Sequence, residues 1–203
     1  MKQAERFFTM STQLPFPEAH DPRTSNDLPE LDNLTRLHNL GEIAAAIEYG
    51  EALCRMFPTL DAPILTLSGV YLQSGQPDQA FQAVVRGMPG CTRHYHLYEV
   101  AGALEFRREH LAEALVWWAR AVVAQANVAE FHDYRPFMIL AHAAQIAEAH
   151  DESHALFVMT DSIDPAKPRL DGQSIARLRA LEGTWIADAL VRVLKQIVHE
   201  HLK

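Results

Sequence analysis

Cysteine is scarce in this chain of 203 residues: only Cys54 and Cys91 occur. One pair of thiols cannot staple a domain of this size, so no disulfide framework is expected, and a reducing, cytoplasmic setting is. Long apolar runs are missing too, with nothing near the roughly 20 residues of a membrane span. The opening segment 1–17 is basic but has only the Phe7–Phe8 step of apolar character, so a secretion signal is not expected. Positive charge is short: 18 Lys and Arg face 26 Asp and Glu, a formal net charge of −8. The electrostatic footprint of a nucleic-acid or anionic-membrane binder is therefore lacking. Between 126 and 165 the carboxylates of Glu130, Asp133, Glu148, Asp151, Glu152, Asp161 and Asp164 face only Arg135, and a partner chosen by charge would be basic.

Catalytic signatures are also missing. There is no His-Glu-x-x-His zinc motif, no glycine loop to cradle phosphate, no nucleophile elbow and no dinucleotide fingerprint. No catalytic residue and no cofactor is assigned, and an enzyme is not expected. Histidine, at 11 residues, is the exception to scarcity. His150 and His154 stand four apart beside Glu148, Asp151 and Glu152, a spacing that puts two imidazoles on one helical face. His94 with His96 and His199 with His201 form further pairs. These would suit a metal- or ligand-responsive sensor, the alternative function; solvated or capping histidines are the plainer reading, and no metal ligand is assigned.

What the chain does have is a period. Ala46, Ala80 and Ala114 lie in matching contexts, each 34 residues after the last, and Ala155 follows after 41 as a fourth unit displaced by seven. Hydrophobic residues make up 48% of the sequence, enough for a sizeable core. Apolar spacing, with Pro63, Pro77 and Pro136 at helix starts, predicts helices over 28–40, 43–56, 62–74, 77–88, 94–107, 110–125, 136–149 and 151–162. Asp27 and Asp61 are the expected N-caps of the first and third.

The pattern resembles the tetratricopeptide repeat, whose 34-residue helix-turn-helix unit carries small residues where its helices cross. The second unit shows Ile64, Leu67, Ser68, Tyr71, Ala80 and Val84; the third shows Tyr98, Ala101, Gly102, Ala114 and Trp118; the fourth has Ala143 and Met159. Leu34 and Glu105 depart from the pattern, so looser packing is expected in their units. Trp117, Trp118 and the methionines read as core filling. The resemblance implies an all-α, right-handed superhelical solenoid of about four units, a scaffold, adaptor or chaperone that holds a protein or peptide in its concave groove. By phase that groove would be lined by Thr35, His38, Asn39, Leu65, Leu72, Gln73, His96, Glu99, Phe106, Arg107 and Leu140, with Gly69, Ala103, Ala144 and Ala147 between them and few fixed charges. The Lys/Asn/Arg clamp by which some members grip a terminal carboxylate is replaced by Leu31, Thr35, Thr66, His96 and Val100. The segment from Tyr134 to Ala144, led by Pro136, is also similar to tetratricopeptide-class chaperones of bacterial type III secretion.

The ends differ in composition. Residues 1–26, with Pro15, Pro17 and Pro22, are expected to form a flexible arm holding no helix beyond about eight residues, although Phe7, Phe8 and Phe16 would allow it to fold onto the body. Residues 27–165 form the repeat domain. Over 166–203 a single long helix from near Ser174 would present Ile175, Leu178, Leu181, Trp185, Ile186, Leu190, Val193, Leu194 and Ile197 as an apolar stripe, which would cap the array or pair with a second copy as a homodimer.

Overall fold

The computed structural model describes residues 2–16, 28–129 and 131–202. Among these are eleven α-helices and no strand. The helices are α1 (Lys2–Thr12), α2 (Glu30–Asn39), α3 (Ile43–Met56), α4 (Asp61–Gln73), α5 (Pro77–Gly87), α6 (Tyr95–Arg107), α7 (Leu111–Val128), α8 (Arg135–Ile146), α9 (His150–Ile163), α10 (Gly172–Leu178) and α11 (Trp185–His201). Each helix from α2 to α8 packs on the next, and α4 also meets α2 and α6.

One turn joins α2 to α3, α4 to α5, α6 to α7 and α8 to α9. Its middle residue is left-handed each time: Gly41 (φ 76°), Gly75 (φ 75°), Glu109 (φ 65°) and Glu148 (φ 58°). The hydrogen bonds repeat as well, since Gly41, Gly75, Glu109 and Glu148 donate their N–H to the carbonyls of His38, Leu72, Phe106 and Gln145. Orphan carbonyls at a helix C-terminus are satisfied by such a left-handed cap, which glycine adopts freely and glutamate at some cost.

The turns stand at 41, 75, 109 and 148, so the last spacing is 39, an insertion of five and not seven. Counting five residues on from each turn gives Ala46, Ala80, Ala114 and Ser153, all buried, whereas Ala155 is half-buried. Ser153 Oγ donates to the Ala141 carbonyl at 3.0 Å, a contact that only a small residue permits at this crossing. Part of the insertion is one extra turn on α7, which has 18 residues against 14 in α3.

The two departures expected to loosen packing are absorbed differently. Leu34, Ser68, Gly102 and Ala141 all sit seven residues before their turns, and their partners nine residues after are Gly50, Val84, Trp118 and Phe157. Where the first helix is large, the second is empty: a Cβ on Gly50 would lie 3.4 Å from Leu34 Cδ2 and 2.8 Å from Leu67 Cδ1. Where the first is empty, the second is largest: a Cβ on Gly102 would lie 2.6 Å from Trp118 Nε1. Knob and hole exchange helices between the units, which keeps interior packing dense.

The core runs along the chain in three parts. Leu34, Ala46, Leu53 and Val70 form one; Ile64, Val84, Leu97, Tyr98, Ala121 and their neighbours the second; Trp118, Phe137, Leu140, Leu156, Leu190 and Ile197 belong to the third. α4 and α7 contribute to two parts each, so they tie the parts together.

Both ends fold back. Residues 2–16, expected within a flexible arm, carry helix to Thr12, with Phe7 buried and edge-on to Trp185 at 6.2 Å. α1 packs on α7 and α11, and Arg120 of α7 donates to the Met10 carbonyl at 2.6 Å, placing a cation at the negative end of α1. The expected Asp27 cap lies outside the described residues. The single C-terminal helix is instead two, parted by a 3-10 turn and by Gly183 at φ 67°. The stripe over Leu190, Val193, Leu194 and Ile197 is buried against α1, α7, α8 and α9.

The substitution Gly102→Ala should cost about 1–3 kcal/mol, because the new methyl meets a rigid indole. Gly69→Ala, in helix with nothing within 4 Å of its Cβ, should stabilise by about 0.5–1 kcal/mol. Paired urea unfolding checks both; equal effects would break the knob-and-hole account.

Candidate binding cleft

A cleft of about 710 Å³ opens across the N-terminal halves of α2, α4, α6 and α8. Its lining is Leu28, Ala62, His96 and Arg135; Leu31, Leu65 and Glu99; and Asp32, Thr66 and Val100. Each group is one register position: 13, 10 and 9 residues before the turns at 41, 75, 109 and 148. All ten lining residues therefore occupy three equivalent positions of successive helix pairs. Positions three to four apart share a helical face, so side-by-side helices with one phase must build a continuous surface from them.

The walls are mostly apolar, from Leu28, Leu31, Ala62, Leu65 and Val100. Glu99 in the floor is only 4% exposed. Arg135 Nη2 lies 3.3 Å from Glu99 Oε2, but the guanidinium is principally engaged with Asp133, through Nε to Oδ1 at 3.0 Å and Nη2 to Oδ2 at 2.9 Å. Asp133 is itself placed by the extra turn of α7. There Gln125, fully buried, accepts the N–H groups of His132 and Asp133 at 3.0 Å and donates to the Asp133 carbonyl at 3.2 Å. On the next helix pair His96 Nδ1 donates to Asp61 Oδ2 at 3.1 Å. Asp61, expected to cap α4, lies inside its first turn and holds His96 instead; the capping position is Leu60.

Burial raises the Glu99 carboxyl from its ordinary 4.5 to about 7. Asp133 pushes the same way, while Arg135 and His96 oppose it without prevailing. Elsewhere, burial lowers the imidazoles of His94, which stacks on Phe16 at 5.4 Å, and of His142.

The expected groove residues divide. Leu65, His96 and Glu99 line the cleft. Phe106 and Arg107 instead line a second hollow of about 470 Å³ closed by Leu170, Arg177 and Leu178. There Arg177 Nη1 donates to the Phe106 carbonyl at 3.3 Å and its guanidinium lies over the Phe106 ring at 5.6 Å, so the chain's own α10 covers that end. Thr35, Asn39 and Gln73 are exposed, and His38 and Leu72 half-buried, outside either hollow. Leu140 is corrected outright: it is fully buried in the core, as is Ala144. The physical reason is the two-residue phase error in the fourth unit, since two residues turn a helix by about 200° and swap its faces. The true counterparts of Leu65 and Gly69 are Met138 and His142.

Sequence phase does not single out Leu28, Asp32, Ala62 and Arg135, and against the expectation of few fixed charges the lining carries Asp32, Glu99 and Arg135, with Asp61 and Asp133 behind His96 and Arg135. Leu31, Thr66 and Val100 stand at the positions of the clamp, and that register is the sequence signal that finds the cleft. His150 and His154 are both exposed. Among the described residues no group of three or more His, Cys, Asp or Glu is placed to hold a metal, and no helix is long and apolar enough to cross a membrane. No family model, curated protein or solved structure matches the chain.

Glu99→Gln should change how stability depends on pH. The folded chain holds the Glu99 proton more tightly than the unfolded chain, so this part of stability is complete below about pH 4.5 and lost as pH rises to about 7. The loss avoided by the glutamine variant is about 2–3 kcal/mol between pH 5 and pH 8. Urea unfolding of both proteins at the two pH values measures it, and parallel pH profiles would refute the burial argument.

Proposed function

We propose that this chain is a protein-interaction module of the tetratricopeptide-like solenoid kind, holding an extended segment of a partner protein across α2, α4, α6 and α8. The observation that carries the reading is the composition of the cleft: ten residues from four successive helix pairs, all at three equivalent positions. A repeat builds such a surface as a by-product of stacking, and a ligand lying along it meets the same positions again and again. Mostly apolar walls around a few fixed polar groups are the general make-up of a binding site.

Four helix pairs of one phase support the solenoid reading, and the closing of its C-terminal end by α10 and α11 supports a capped array. A homodimer through the α11 stripe is not part of the proposal, because Leu190, Val193, Leu194 and Ile197 are buried within the chain. Among the described residues no cluster of His, Cys, Asp or Glu is placed to hold a metal, so the metal-responsive alternative is not carried further, and catalysis is not proposed either. Fold alone does not decide function; the site does.

A photo-crosslinking amino acid at position 66, in the cleft, should trap a partner from the native host, and the same group at position 158, half exposed on α9, should not. Leu65→Glu should abolish the trapping at 66 while helicity measured by circular dichroism stays unchanged. Equal trapping at both positions, or trapping untouched by Leu65→Glu, would remove the cleft assignment.

A further inference from the structure

The charges around the cleft say more about its occupant than the apolar walls do. Glu99 is met by Arg135 from the start of α8 and by Asp133 behind it. From its own helix it is met by His96, which is bound to Asp61 of α4, and Asp32 of α2 stands on the rim. Among the described residues, four carboxylates thus stand with one guanidinium and one imidazole, Asp32 and Glu99 in the lining and Asp61 and Asp133 behind it. The guanidinium is already matched: Asp133 takes it through two hydrogen bonds, and Glu99 has only the longer 3.3 Å contact. A buried carboxylate of this kind is costly unless a cation comes to it. The geometry has an approximate length as well. The steps from α2 to α4, α4 to α6 and on to Arg135 span roughly 30 Å at ordinary helix spacings, about nine residues of extended chain.

Resting on the interaction-module reading, we propose that the occupant is an extended, mainly apolar segment carrying one basic side chain, lysine or arginine, whose cation seats against Glu99 in the cleft floor. Leu28, Leu31, Leu65 and Val100 bury the apolar residues on either side. An acidic segment meets Asp32 and Glu99 in the lining, while Asp133 and Asp61 behind it already match Arg135 and His96, and is rejected; a wholly apolar one leaves Glu99 to lose its remaining water with no new partner. This is the reverse polarity of a carboxylate clamp, built in the same register. A proton link follows, because the raised Glu99 carboxyl must be ionised to hold the cation. Binding is therefore strongest above about pH 7 and weakens as pH falls.

The test is a random nonapeptide library, acetylated and amidated so that no end charge interferes, incubated with the full chain, Glu99→Gln and Leu65→Glu. Bound peptides are read by mass spectrometry. Lysine and arginine should be enriched about tenfold over glutamine at one position on the wild-type chain, and that enrichment should fall severalfold on Glu99→Gln, where the other carboxylates remain. The best retrieved peptide, labelled with fluorescein, should lose up to about tenfold in affinity per pH unit from pH 6.5 to 5.5 on the wild type and hold steady on Glu99→Gln. Peptides that bind the cleft, shown by their loss on Leu65→Glu, without basic preference or pH dependence would overturn this proposal and leave the interaction-module reading standing. Retrieval of no peptide that depends on Leu65 would overturn both.

Discussion

Everything in this molecule follows from one way of reversing a helix. A left-handed residue closes the C-terminus of α2, α4, α6 and α8, and two residues later the next helix begins. Because the turn is the same each time, it sets the rotation of both flanking helices, and the side chains at a given count from it face the same way in every pair. Glycine takes that conformation freely at 41 and 75. At 109 and 148 glutamate takes it against a steric penalty of about 1–2 kcal/mol, which the packing on either side must offset.

Crossings between paired helices depend on that rotation. Close approach needs a small residue, and Ala46, Ala80, Ala114 and Ser153 supply it five residues after each turn. The facing position is freer, because only the sum of two volumes is constrained. Leu34 with Gly50 and Gly102 with Trp118 are opposite solutions to one packing problem. A pattern that inspects one position at a time sees two violations there; the pair together obeys the rule.

The cleft shows what an irregularity adds to a regular scaffold. Stacking alone would have made an apolar trough from Leu28, Leu31, Ala62, Leu65 and Val100. The five-residue insertion lengthens α7, and Gln125 on the added turn pins the following loop so that Asp133 and Arg135 close the trough beside Glu99. The same insertion puts Ser153, not an alanine, at the crossing of the fourth unit. At the other end of the groove the chain's own α10 lies over Phe106, which leaves the N-terminal halves of the first helices as the open part.

The eight helices from 28 to 163 were legible in the sequence, because apolar spacing, prolines at helix starts and the 34-residue period are local properties that adjacent residues carry. So were Leu65, His96 and Glu99 as members of one surface. Tertiary structure alone decided the rest. The docking of Phe7 on Trp185 joins residues at opposite ends of the chain, and no local pattern encodes such a meeting. Leu140 lies in the core because helix phase in the fourth unit is set by the turn at Glu148, a glutamate that nothing in composition marks as left-handed. The raised Glu99 carboxyl comes from burial, with Asp133 adding to it, and burial is a property of the assembled fold, not of the residue.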